Sequence, residues 1–306
     1  MAYFAQQIVN GVQLGALYAL LAFGYAISHG ILKRASFTHG ALFAFAGQIA
    51  VFFTAFGWNT LLLVYPAALA LGAVAALAYT AFIAHFLARN VIEPLPKASP
   101  NMTIAASFAV LIVLMESVRL ASGNWSPWLS PFLNSVIDLG GIGWQLGASG
   151  FTVTTTPLKL LVTAVSLGVI GAGSAFLGYS RAGRYWQAVS QDEFAASLMG
   201  VDARKVFLTA MTSAAAIAAL AGVLASWHYG NMDFGTGISF AVKILFLTSL
   251  GGLSSPPAAA AGGLAIGLFE AMWDGWFPLV WRDAATYCVL VALLIATRRS
   301  NGLDLS

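Results

Sequence analysis

Charge is what this sequence most lacks. Only 8% of its 306 residues are Asp, Glu, Lys or Arg, where a soluble domain carries roughly a quarter. With 59% hydrophobic residues and a mean hydropathy of +0.84, too little polar surface remains to cover a water-soluble globule. Cysteine is almost absent as well. Cys288 stands alone inside an apolar run, which excludes a disulfide framework and a thiolate metal site. No glycine precedes any lysine, so the phosphate-cradling G-x-x-x-x-G-K-[ST] loop is missing. No metal-ligand cluster or nucleophile–base constellation can be assembled from what is left. The net charge of +3 is scattered among loops rather than gathered in a patch, which argues against nucleic acid as a partner.

What is there is apolar length. Met1–Leu32, Ala35–Ala88, Leu160–Ser180, Val206–Met232 and Ile244–Phe269 contain no charged residue. About 20 apolar residues cross the hydrocarbon layer as a helix. The 54-residue run Ala35–Ala88 therefore holds two crossings, with the turn expected at Gly57–Thr60. The pattern predicts an all-α, polytopic transmembrane bundle over 1–306, a single domain of eight or nine spans, some of them broken. The expected spans are 8–28, 39–57, 60–86, 101–120, 157–179, 206–228, 238–252, 259–279 and 283–297. The first segment has no basic leader and no clear cleavage site, so it reads as a retained span. Lys and Arg stay on the cytoplasmic side of short loops. With the amino terminus outside, Lys33, Arg34, Arg89, Lys97, Arg181, Arg184, Arg204, Lys205, Arg298 and Arg299 lie inside, as does the carboxyl terminus. Only Arg119, Lys159 and Arg282 then lie outside. The segment 121–156 becomes extracytoplasmic, and its Trp125, Trp128 and Trp144 suit the headgroup region. The 31 glycines are mostly packing residues, because small side chains let helices approach where lipid supplies no hydrophobic drive.

Against this background one cytoplasmic loop, "GRYWQAVSQDEFAASLMGVDARKV" (Gly183–Val206), stands out for its charge, with Arg184, Asp192, Glu193, Asp202, Arg204 and Lys205. Ser190 followed by Glu193 matches a capping box, Gly200 is a helix terminator, and Asp202 can cap the next span. A helix of about nine residues is expected between them, roughly 13 Å long. Phe194 and Leu198 share a face, with Val201 just beyond, and Ala195 and Ala196 keep the adjacent face flat. So short a helix does not persist alone in water. It either folds onto its own bundle or docks into a partner.

The stretch "EFAASLMGVDARKV" resembles the coupling-helix segment of ABC-importer permeases, and most closely the branched-chain amino-acid permease family. The resemblance extends in family order to "NGVQLGALYALLAFGYAISHGILK" (Asn10–Lys33), "SFTHG" (Ser36–Gly40) and "KILFLTSLGGLSSPPAAAAGGLAIGLFEA" (Lys243–Ala271). The chain departs from the family at Ser36-Phe37-Thr38-His39-Gly40, where Asn-Phe-Ala-His-Gly is usual. It departs again at Ser254 and Ala258, where Gly is commoner, and at Gln187 and Gln191. These departures leave the substrate open: urea, amides and aromatic acids stand beside branched-chain amino acids.

The resemblance implies an inner-membrane transport subunit that is not itself an enzyme and binds no cofactor, the ATP and Mg being used by partners. Those partners are two ABC ATPase subunits, a second homologous permease and an extracytoplasmic solute-binding protein. Glu193, Phe194, Ala195, Ala196, Leu198, Gly200 and Asp202 would form the ATPase-coupling element and drive alternating access. Broken helices near the bilayer middle are where transporter ligands meet backbone, so Ser36, Phe37, Thr38, His39 and Gly40, with Gly251, Gly252, Ser254 and Ser255, are candidates for the translocation pathway. Ordinary turns are the alternative for both stretches. Lys243 could meet a substrate carboxylate, but pairing with Glu270 or snorkelling is the simpler reading. Glu270 suits a packing and hydrogen-bonding role. Glu116 and Arg119, three apart, should neutralise each other. Phe37 and Phe43 could line an apolar path. A proton- or sodium-coupled carrier is the main rival, and an intramembrane enzyme a weaker one. The first would need acidic residues inside the bundle, for which only Glu116 and Glu270 are available.

Overall fold

The computed structural model describes residues 2–94, 100–123, 127–138, 152–233, 235–253 and 255–301. It is an all-α polytopic bundle. The helices are α1 (Ala2–Leu32), α2 (Thr38–Asn59), α3 (Tyr65–Leu87, continued by a π turn over Ala88–Ile92), α4 (Pro100–Ser122), α5 (Pro157–Tyr179), α6 (Arg181–Gln191), α7 (Glu193–Leu198), α8 (Ala203–Tyr229), α9 (Thr236–Gly251), α10 (Pro256–Trp276) and α11 (Arg282–Asn301). Among the described residues the strands are β1 (Ile137–Asp138) and β2 (Thr154–Thr155), paired antiparallel.

Six helices, α1 to α5 and α8, are each long and apolar enough to cross a membrane, and α9 and α10 pass that test only together, bent by 115°. The break expected between the spans 238–252 and 259–279 narrows to the four residues between α9 and α10. Gly252 turns the chain with φ +106°, and Pro256 and Pro257 then open α10 where their missing N–H groups cost nothing. The turn expected at Gly57–Thr60 also moves. The α2 helix runs through Asn59, because Gly57 packs against Leu71 and Ala68 of α3 rather than breaking the helix.

The inner pair is α1 and α10, antiparallel along their length. Gly11 faces Leu268 and Ala271, Gly15 faces Leu264, and Gly263 faces Tyr18 and Ala19. A side chain on Gly267 would overlap the Gly15 backbone. That is the close approach small residues permit in lipid. The α2 helix sits on the other side, with Gly47 against Met232 and the Gly222 carbonyl of α8. Tyr25, Phe43, Leu111, Leu224 and Ile244 form the middle of the main apolar core.

The two ends of the bundle differ in charge. At one end Lys33 Nζ donates to the Gln191 carbonyl (3.1 Å), Arg34 donates to Thr103 (3.3 Å), and Arg204 pairs with Glu93 beside the π turn that carries Arg89 (2.8 Å). At the other end the Tyr3 hydroxyl donates to the Gly275 carbonyl (2.7 Å), Gln6 bonds Thr154 in both directions, and Tyr65 donates to the Ser130 carbonyl (2.7 Å).

Candidate functional site

Two places concentrate chemistry. The first lies inside the bundle. Lys243 on α9 cannot leave its charge in hydrocarbon without a partner, and the fold supplies three. Its Nζ donates to Glu270 Oε1 (2.9 Å), to Asp283 Oδ1 (3.1 Å) and to the Tyr18 hydroxyl (3.4 Å). Glu270, 0% exposed on α10, also accepts from Tyr18 through Oε2 (2.7 Å) and from Thr286 through Oε1 (3.1 Å). Both of its oxygens are thus occupied, which is the condition under which a buried ion pair can be sustained. Four helices converge to make the arrangement: α1 brings Tyr18, α9 Lys243, α10 Glu270, and α11 Asp283 and Thr286.

Tyr18, Lys243 and Asp283 of this cluster line a cavity of about 510 Å³. Part of its lining is apolar, while Asn231, Asp233, Thr236 and Ser239 line it too. Phe43 and Phe240 lie with ring centroids 4.9 Å apart, Tyr18 meets Phe240 edge-on at 6.1 Å, and Met232 and Ala225 complete the apolar part. A smaller chamber of about 250 Å³, lined by Gln7, Asn10, Gln13, His228 and Asp274, adjoins it and shares Tyr229 and Arg282. Arg282 at that boundary pairs with Asp274 (3.2 Å) and lies 3.8 Å from Asp283.

Of the residues expected in a pathway, Lys243 lines this cavity, as does Phe43. Ser36, Phe37, Thr38, His39 and Gly40 do not. They form a packed elbow between α1 and α2. The Ser36 N–H donates to the Tyr25 hydroxyl (3.2 Å), the Phe37 N–H to Ser107 (3.1 Å), and Ser36 Oγ to Thr38 (3.1 Å). His39 is buried edge-on to Tyr25, next to a void of about 20 Å³, room for about one water. Gly40 lies against Ala241, so the elbow touches α9 two residues before Lys243. Gly251 packs on Ala258 and Ala259 at the α9–α10 turn, Gly252 makes the turn, and Ser255 is exposed. Ser254 lies outside the described residues. Glu116 pairs with Arg119, whose Nε reaches Oε2 at 2.8 Å, on an outward part of α4 away from the cavity. Sequence reasoning paired Lys243 with Glu270 but missed Tyr18, Asp283 and Thr286.

The second place is the charged loop. Two helices stand where one was expected. Ser180 caps α6, accepting from the Gly183 N–H (2.9 Å), and Trp186 fixes it by donating from Nε1 to the Ile27 carbonyl (3.1 Å). That anchor keeps the chain helical through Gln191. Ser190, expected as the cap of the next helix, instead donates to the Gln187 carbonyl (2.8 Å). Asp192 is the cap of α7, accepting from the Ala195 N–H (3.0 Å). The α7 helix is six residues long and ends in a Schellman motif: the Val201 N–H donates to the Ala196 carbonyl (3.1 Å) and the Gly200 N–H to the Ser197 carbonyl (3.0 Å). Gly200 takes φ +83° there, which a side chain would oppose. Asp202 then caps α8, accepting from the Lys205 N–H (3.0 Å). That bond, more than the nearby Lys205 ammonium, holds its carboxyl below the usual range. Ala196 alone of the helix faces inward and is buried, while Glu193 and Ala195 are exposed with Phe194 (73%) and Leu198 (72%).

The sequence has recognisable relatives. A family model described as the permease component of the branched-chain amino acid transport system matches residues 7–297. The chain is 28% identical over 298 residues to the high-affinity branched-chain amino acid transport system permease protein LivH of Salmonella typhimurium, covering 96% of this chain and 93% of that one. LivH of Escherichia coli K12 gives the same figures. The corresponding protein BraD of Pseudomonas aeruginosa is 26% identical over 297 residues, 96% of this chain and 94% of its own. With nearly its whole length matched, the chain belongs to the family of branched-chain amino acid transport system permease components.

Proposed function

We propose that the chain is the membrane-spanning permease subunit of an ATP-driven importer of branched-chain amino acids, and that α7 is the joint through which separate ATPase subunits move it. The observation that carries this reading is the pair of apolar side chains, Phe194 and Leu198, held out in solvent with Met199 on a well-capped helix. Each such side chain stabilises by roughly 1.5–3 kcal/mol when buried. An arrangement that leaves them exposed in the free chain gains that energy only from a partner. The likeness to LivH and BraD supports the transport class and the substrate.

In this reading two ATPases bind ATP and Mg and seat α7 in a cleft. A second homologous permease completes the membrane part, and an extracytoplasmic binding protein delivers the amino acid. The chain itself carries out no hydrolysis. Lys33, Arg34, Arg89, Arg204 and Lys205, gathered near one end, support a cytoplasmic assignment of that end, with the amino terminus outside in an inner membrane. Closure of the ATPases pushes on α7, and the packed bundle switches between outward-open and inward-open arrangements. The test is the double variant Phe194→Ala, Leu198→Ala in the reconstituted transporter. Receptor-stimulated ATP hydrolysis and leucine uptake should both fall at least tenfold, with membrane insertion unchanged. Normal coupling in that variant would remove the docking role.

A further inference from the structure

Asp283 differs from its neighbour in the ion cluster. Glu270 is sealed, with both oxygens occupied, whereas the Asp283 side chain is 62% exposed and stands on the cavity wall while still holding Lys243 at 3.1 Å. Lys243 thus has one permanent partner inside the protein and one exchangeable partner at the cavity surface. We infer that the Lys243–Asp283 pair is a binding site for the two charged ends of a zwitterionic α-amino acid with an aliphatic side chain. The amino acid separates the pair: its carboxylate takes Lys243 and its ammonium takes Asp283.

Charge balance selects the ligand class. A carboxylic acid entering alone would take Lys243 and leave Asp283 only Arg282, 3.8 Å away and already paired with Asp274, and an amine would take Asp283 and leave Lys243 with Glu270 as its one carboxylate. A zwitterion replaces one ion pair with two and leaves the net charge of the cavity unchanged. A ligand with only one of the two groups forfeits one of the two new charge-assisted pairs, so both α-groups together bind best. The aliphatic side chain then meets Phe43, Phe240 and Met232, which line the same cavity. A volume of about 510 Å³ lies within the range of small-molecule sites, which combine apolar walls with a few placed polar groups. Lys243 keeps its bond to Glu270 throughout, so the cation is never without a partner.

This inference rests on reading the chain as an amino-acid permease, but its test does not use the ATPases. Radiolabelled L-leucine is bound to the purified full-length chain in nanodiscs, with unlabelled competitors. L-isoleucine and L-valine should compete. Leucinamide, which lacks the carboxylate, and 4-methylpentanoate, which lacks the ammonium, should compete at least tenfold more weakly. Asp283→Asn should weaken leucine binding at least tenfold, with Asp283→Glu restoring most of it. Should Asp283→Asn fail to fold, Phe240→Trp supplies the second arm, shrinking the apolar wall and shifting preference from leucine toward alanine. Equal competition by either analogue, unchanged binding in Asp283→Asn, unchanged preference in Phe240→Trp, or no leucine binding by the parent chain would each overturn the site. None of those results would touch the coupling role of α7, and loss of that role would leave leucine binding here intact.

Discussion

The ion cluster around Lys243 and the short helix α7 invert one another. In the first, charges sit at the centre of an apolar bundle, and in the second, apolar side chains sit on a charged surface loop. Water would favour the opposite in both places. The difference lies in where the partners are. Lys243 finds Glu270, Asp283 and Tyr18 within its own chain, so its charge is compensated internally. Phe194 and Leu198 are left largely exposed among the described residues, and in the proposed coupling role their burial comes from another molecule. A buried polar cluster with its bonds made speaks of stability and ligand contact, and an ordered apolar knob left open speaks of assembly.

The sharpest way to break the contrast is to remove the buried counter-charge. Glu270→Ala leaves Lys243 with Asp283 and Tyr18 only, and should lower stability by about 3 kcal/mol, the low end of what breaking a buried pair costs. Replacing both, Lys243→Met with Glu270→Leu, should recover most of that stability while abolishing leucine binding. Thermal unfolding in nanodiscs reads the first effect, and the binding assay reads the second. If the single and double variants were equally unstable, the cluster would not be an internally compensated unit.

A smaller effect is expected at the knob. Gly200→Val forces a branched side chain into the left-handed region, costing about 1–2 kcal/mol locally. Hydrogen exchange should show α7 fraying while α8 stays protected. Equal protection of α7 before and after the change would mean that the Schellman stop is not needed to hold the knob. The smallest effect concerns pH. The folded carboxyl of Asp202 lies below its unfolded value because it accepts from the Lys205 N–H. Its contribution is therefore present above the unfolded carboxylate range and is lost as pH falls through the folded one. The first turn of α8 should exchange faster in acid and show no corresponding change on going alkaline, and Asp202→Asn should flatten the acid response.

Much of the fold was legible because lipid imposes a simple rule: long uncharged runs must be spans. The boundaries were less so. Gly57 looked like a turn and serves as a contact surface for α3, because a glycine in lipid packs as readily as it bends. The coupling loop contains two cap patterns within three residues, Ser190 with Glu193 and Asp192 with Ala195, and local sequence does not rank them. The ranking comes from Trp186, whose bond to Ile27, 159 residues away in sequence, extends α6 past Ser190. Lys243 and Glu270 could be matched because each stands alone in an apolar run. Asp283 could not, because it sits beside Arg282 at a span boundary and reads as ordinary loop charge. Tyr18 is one aromatic among many apolar neighbours, and only the antiparallel fit of α1 on α10 brings its hydroxyl to Glu270.

Cross-linking from the knob itself tests the proposed coupling most directly. Cys288 is the single native cysteine, so Leu198→Cys in a Cys288→Ser background places one reactive thiol on α7. With a short bifunctional reagent in the assembled transporter, the account predicts a covalent product with an ATPase subunit whose yield changes when ATP is bound. A thiol that reacts freely with soluble reagent yet never joins an ATPase, with or without nucleotide, would contradict it.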